Sequence, residues 1–200
     1  MPEQQTALII VDMQIGMQSP ALPARNNPGA EHRIAMLLAA WRDARLPVIH
    51  VRHMSRSPRS VFFPGQAGAA FQEPFQPLPG EHVVEKNVPD AFIQGGLERW
   101  LHVRDIRNVV IVGVSTNHSV ESTARTAGNL GFATTVVADA TFAFAQRDYA
   151  GTERSAEDVH LMSLANIAGE YAAVRSAAEV VSGLSNQAAS DNEIPHNHYP

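Results

Sequence analysis

The 200-residue sequence predicts an α/β fold of three layers: a mostly parallel six-stranded sheet, Rossmann-like in plan, with helices on both faces. Two observations predict it. Short apolar runs alternate along the chain with stretches whose apolar residues return at helical spacing, the pattern that right-handed crossovers between parallel strands produce. The runs themselves, TALIIV and VVIVGV above all, are apolar throughout, as strands buried on both sides must be. With 44% hydrophobic residues the chain can bury a sizeable core, and its length suits one domain, placed at residues 1–184, followed by a flexible tail over 185–200.

Taken in order, Thr6–Val11 reads as the first strand, ending at Asp12 and followed by MQIGMQSPALPARNNPG, dense in turn formers. From Ala30, the spacing of Ile34, Leu37, Leu38 and Trp41 predicts an amphipathic helix that stops near Arg45, before Pro47. Val48–Val51 is the second strand. Residues 52–82 hold five prolines, at 58, 64, 74, 77 and 79, among Phe62, Phe63, Phe71 and Phe75. Loops this long are usually functional, so the segment reads as a site wall or an oligomer contact. Val83–Glu85 is a third strand running into Lys86, and Ile93, Leu97, Trp100 and Leu101 predict the next helix.

Val109–Val114 is a buried strand, and Ser115-Thr116-Asn117 turns the chain into a helix marked by Val120, Ala124, Ala127 and Leu130 and stopped at Asn129–Gly131. Ser119 therefore falls in a first helical turn, where unpaired backbone N–H groups and the positive end of the macrodipole favour an anion. Ala133–Ala138 is the fifth strand. Ser155, with Glu157 and Asp158 behind it, opens a helix to Gly169, a last strand lies near Tyr171–Val174, and Ala177–Leu184 forms a short helix.

A net charge of −5, from 15 Lys+Arg against 20 Asp+Glu, gives no footprint for nucleic acid or anionic lipid. No apolar run approaches the ~20 residues of a membrane span and no secretory leader is visible, so a cytoplasmic protein is expected. The absence of cysteine leaves no disulfide, no thiolate metal site and no thiol nucleophile.

Ligands in parallel α/β sheets bind beyond the carboxyl ends of the strands. Asp12 ends the first strand, Lys86 the third, and Ser119 follows the fourth, so an acid, a cation and a hydroxyl are expected at one rim. Taken singly each could be a cap or a solvated strand end; their convergence suggests a triad.

The segments IIVDMQ, VVEKNVPDAF, VIVGVSTNHSVESTARTAGNLGF, VVADATFAF and VHLMSLANIAGEYA, in this order and spacing, resemble the isochorismatase-like cysteine hydrolases over nearly the whole chain. The resemblance implies that family's hydrolase fold and an Asp–Lys–Cys triad at Asp12, Lys86 and the position of Ser119. It further implies hydrolysis of small amides, ureides or N-carbamoyl compounds through a thioester. It places a non-proline cis peptide between Val114 and Ser115, and oxyanion donors at the Ser115 and Ser119 N–H groups. Ser119 departs from the pattern. A hydroxyl needs far stronger activation than a thiol, so the chain as written is expected to be inactive or nearly so. We read Ser119 as an inactivating substitution of Cys, because the neighbouring motif residues are all in place; a natural loss of the thiol is the other source. Two alternatives stand beside this reading: a vinyl-ether hydrolase of the isochorismatase type with Asp12 as acid, and a pseudoenzyme serving as ligand-binding or oligomeric scaffold.

For the substrate, Gln14 is expected to bond within the site or orient Asp12, Arg52 with Arg56 and Arg59 to clamp a carboxylate, and Phe63, Phe92 and His118 to line an apolar pocket. His50 and His53 have no carboxylate beside them in IHVRHMSRSP, so no metal and no cofactor is expected. His160 reads as a packed or interface residue, and His196 and His198 as part of the tail. The expected partners are a small-molecule substrate and further copies of the chain, in a dimer or tetramer.

Overall fold

The computed structural model describes residues 5–192, with 185–192 described by backbone alone. Strands and helices alternate as the apolar pattern requires: β1 (Thr6–Val11), α1 (Ala30–Asp43), β2 (Val48–His53), β3 (His82–Lys86), α2 (Leu97–His102), β4 (Asn108–Val114), α3 (Glu121–Asn129), β5 (Ala133–Phe142), β6 (Gln146–Arg147), β7 (Glu153–Arg154), α4 (Ala156–Ile167), β8 (Ala173–Arg175) and α5 (Ala177–Asn192). Six strands form one sheet in the order β3-β2-β1-β4-β5-β8, every neighbouring pair parallel. The chain works outward from β1 to β3, then returns to lay β4 on the other side of β1, so the winding reverses between β1 and β4.

The pleat divides the core in two. Ala7, Ile9 and Val11 point to the layer of α2, α3 and α4, where they meet Leu97, Leu101, Val120, Ala124, Ala127 and Leu164. Leu8 and Ile10 point to the other layer and meet Ile34, Leu37, Leu38 and Trp41 of α1 and Ala177 of α5. The small residues of α3 let it lie close: a Cβ on Gly128 would come 2.5 Å from the Tyr171 carbonyl.

Several boundaries differ from expectation. Ile93 is half exposed in a turn and α2 begins only at Leu97, because Gly95-Gly96 breaks the pattern before it. Strand β5 runs on to Phe142 through a bulge, since Gly113 pairs with Thr141 while Ile111 pairs with Val136. The β6–β7 hairpin has only two-residue arms, too short for a periodic signal. Helix α5 extends to Asn192, past Leu184, and the tail residues His196 and His198 lie outside the described residues. The 52–82 segment holds two single-turn helices, at Ala67–Ala69 and Glu73–Phe75, and buries Phe71 and Phe75.

Gly113 has a φ of 116°, and a Cβ there would sit 2.1 Å from the Val11 carbonyl oxygen. Gly113→Ala should therefore cost about 3 kcal/mol or more, read as a lowered denaturation midpoint. Glu81 ties the outer edge together. It accepts two bonds from Arg42 (2.7 and 2.9 Å), one from the Leu78 N–H (2.8 Å) and one from the buried His50 Nε2 (2.8 Å). Burial alone would raise its pKa, but these donors outweigh that and hold the carboxyl at about 2, against an ordinary 4.5. With the folded pKa depressed, its contribution is fully present above pH 4.5 and is lost as the pH falls towards 2. Glu81→Gln should lower Tm at neutral pH and flatten its fall across that acid window.

Candidate active site

Ligands of open parallel sheets settle where the winding reverses, here outside the carboxyl ends of β1 and β4. Asp12 follows β1 directly, in a left-handed conformation (φ 52°) that takes its side chain out of the strand's alternation. Lys86 ends β3, two strand spacings from β1, roughly 9–10 Å away. Val84, two residues earlier, packs in the α2–α4 layer, so Lys86 leaves the sheet on that face, and its long stem crosses beneath β2 to reach Asp12. Ser119 comes from the turn after β4, on the same side.

These three side chains meet. Lys86 Nζ lies 2.7 Å from Asp12 Oδ2 and 3.2 Å from Ser119 Oγ, and all three residues are buried. Asp12 Oδ1 is buried with no hydrogen-bond partner. A solvent-free carboxylate oxygen left open in this way is an acceptor for a proton or an N–H brought by a ligand. Removing either charge alone would strand the other, at a cost of roughly 3–5 kcal/mol.

The turn carrying Ser119 is a π-helix, Thr116–Val120, and not the start of a regular helix. The Ser115 carbonyl accepts the N–H groups of His118 (3.1 Å) and Val120 (3.2 Å), which flank Ser119. The peptide Val114–Ser115 is cis. Helix α4 clamps the turn: His160 Nδ1 pairs with Thr116 Oγ1 at 2.8 Å, and Ser163 Oγ donates to the Thr116 carbonyl (2.9 Å) or to Glu121 Oε2 (2.7 Å). Burial lowers the His160 pKa, with Glu157 opposing, so the ring is a packed residue of the fold.

The other expected site residues are placed differently. Gln14 is buried but does not reach Asp12: its amide donates to the carbonyls of His53 and Ala69 (both 2.9 Å) and accepts the His53 N–H (2.7 Å), so it pins the 52–82 segment to β2. Arg52 is closed by an ion pair with Glu85 on the neighbouring strand, facing away from Lys86. Phe63 sits in a turn, its N–H bonded to the Ser60 carbonyl, and Phe92 packs on Phe132 at 5.7 Å between centroids. His118 is exposed and lines, with Asn117, Glu121 and Met162, an open groove of about 830 Å³ on the outer side of the π turn. Arg56 and Arg59 are exposed. Among the described residues no group of three His, Asp or Glu side chains is placed to hold a metal ion, and no helix is long and apolar enough to cross a membrane.

One residue beside Lys86 escapes sequence reasoning as a site residue, His53, whose ring meets Phe62 edge-on. Burial and the Lys86 charge lower the His53 pKa, with Asp12 opposing. The signal for His53 was its place at a strand's carboxyl end, two residues past the apolar run.

The isochorismatase domain pattern matches residues 6–179. The chain is 40% identical over 172 residues to the isochorismatase family protein YrdC of Bacillus subtilis, covering 86% of this chain and 92% of that one. It is 30% identical to Nicotinamidase 3 of Arabidopsis thaliana, covering 83% and 82%. The crystal structure of a hydrolase assigned to the isochorismatase family from Chromobacterium violaceum superposes with a TM-score of 0.90 at 45% identity, covering 93% and 96%. The open parallel sheet, the rim that gathers Asp12, Lys86 and Ser119, and these likenesses along nearly the full length place the chain in the isochorismatase family of hydrolases.

Proposed function

We propose that the chain is built to hydrolyse a C–N bond of a small amide, ureide or N-carbamoyl compound, and that serine at position 119, in place of cysteine, leaves it inactive or nearly so. The observation that carries this is the Lys86 ammonium, in contact with Asp12 Oδ2 and Ser119 Oγ while Asp12 Oδ1 stays open. The likeness to Nicotinamidase 3 supports an amide as substrate.

In this reading Asp12 Oδ1 takes the proton of the nucleophile at 119 as that atom bonds to the carbonyl carbon. Lys86, paired with Asp12 Oδ2, steadies negative charge on the nucleophile. The Ser115 and Ser119 N–H groups receive the carbonyl oxygen as it becomes an oxyanion. The C–N bond then breaks, the amine leaving with the proton from Asp12. Water, deprotonated by Asp12, attacks the acyl carbon, the bond to the nucleophile breaks, and Asp12 returns the proton to that atom as the acid is freed. A thiol, pKa ~8.5, supplies its anion in such a setting far more readily than a hydroxyl does. Exchange of sulfur for oxygen changes the shape of the pocket little, so binding persists where turnover fails.

The test is ammonia release from carboxamides, ureides and N-carbamoyl compounds by the protein as given, by Ser119→Cys, and by Ser119→Cys with Asp12→Asn. Ser119→Cys should raise turnover on at least one compound on the order of a hundredfold or more, about 2.7 kcal/mol of acylation barrier. Asp12→Asn should then remove on the order of 10²–10⁴ of that rate. Silence of the Cys form on every compound, with isochorismate cleaved equally by both forms, would replace this reading with the vinyl-ether one.

A further inference from the structure

His53 closes β2 and is the register partner of Lys86 on β3. Register partners on parallel strands send their side chains to one face of the sheet, as do residues two apart along a strand. Val51 and Val84, two residues earlier on each strand, are both buried in the α2–α4 layer. The imidazole of His53 therefore leaves the sheet beside Lys86 and one strand nearer to Asp12. Its backbone is fixed on both sides by the Gln14 amide.

The ring of His53 meets Phe62 edge-on, with centroids 6.1 Å apart. Phe62 in turn seats over Gly16, where a Cβ would come 2.5 Å from its ring. His53 thus stands between the triad and the wall formed by the 52–82 segment. The charges around it are committed: Lys86 and Asp12 to each other, and Arg52, its neighbour in sequence, to Glu85.

We propose that His53, backed by Phe62, is the specificity residue of the site, its imidazole hydrogen-bonding a polar atom that the substrate carries beside the scissile amide and selecting flat, uncharged amides over carboxylate-bearing ones. This rests on the reading of the site as an amide hydrolase. Burial and Lys86 favour the neutral ring, which presents one N–H donor and one nitrogen lone pair. Such a group complements a carbonyl, a second amide or a heterocyclic nitrogen. A carboxylate calls for a guanidinium fork, and Arg52, next to His53 in sequence, leaves the strand on the opposite face and pairs with Glu85 there.

The experiment compares pyridine-3-carboxamide, pyrazine-2-carboxamide and acetylurea, which carry such a polar atom, with succinamic acid and N-carbamoylglycine in the Ser119→Cys enzyme. The uncharged group should have the higher kcat/KM. Adding His53→Ala should raise KM for the preferred uncharged amide roughly tenfold with kcat within about twofold, and His53→Asn, which keeps a donor, should restore part of the loss. A change in kcat with KM unmoved, or a preference for the carboxylate-bearing compounds, overturns the proposal. Thermal melts separate loss of folding from loss of binding, and if His53→Ala unfolds, the His53→Asn enzyme is read alone: a KM rise of about two- to fivefold with kcat within about twofold supports the proposal, and an unchanged KM overturns it. If the Cys form turns over none of the compounds, the hydrolase reading fails. His53 is then decided in the Ser119 protein by ¹⁵N imidazole NMR, where an uncharged amide must shift its ring resonances and the absence of any shift sinks the proposal.

Discussion

A buried ion pair holds this site together. Lys86 and Asp12 are withdrawn from water and 2.7 Å apart, so each is tolerated in the interior only because the other is there. That mutual dependence ties the end of β1 to the end of β3 across the intervening β2, and it draws the turn after β4 in through the Ser119 hydroxyl. Three segments far apart in sequence are thereby joined through one ammonium group. The pair also leaves no net charge at the bottom of the site, so a ligand meets oriented dipoles and one open carboxylate oxygen rather than a strong field.

Much of the layout was legible in the residues. Short continuous apolar runs bounded by turn formers fit strands covered on both faces, and their alternation with helical patterns leaves little choice but a parallel sheet, whose carboxyl ends gather Asp12, Lys86 and the Ser119 turn. The roles of these residues rested on resemblance. What remained hidden depends on side-chain direction. Gln14 lies two residues past Asp12 and reads as its neighbour, yet it is spent on the His53 backbone, because a buried primary amide finds its partners in unpaired peptide groups. Arg52 reads as a free cation, but strand pairing puts Glu85 directly opposite it. Pairing of this kind is a property of register, and a single strand's sequence does not carry register.

The aromatic residues of the 52–82 segment show the same limit from another side. Four phenylalanines in a proline-rich stretch signal burial, and Phe71 and Phe75 are buried. Phe62 meets the His53 ring and seats over Gly16, the latter a contact between positions 46 residues apart, from 16 to 62. Likewise, His160 and Ser163 lie in the segment VHLMSLANIAGEYA, but its pattern does not announce their contacts. They matter because α4 packs across the turn that carries Ser119 and satisfies the Thr116 polar groups there.

The π turn at Thr116–Val120 is one residue longer than an α-helical turn closing the same bond, with the Val120 N–H on the Ser115 carbonyl. A residue in a regular helix advances about 100° around the axis, so loss of one residue from this turn would swing position 119 away from Lys86 by roughly that angle. A different side chain at 119 leaves this turn and its backbone hydrogen bonds in place, whereas deletion of a single residue between Ser115 and Val120 would dismantle them. The site therefore depends on the number of residues in the turn at least as much as on which atom the turn carries.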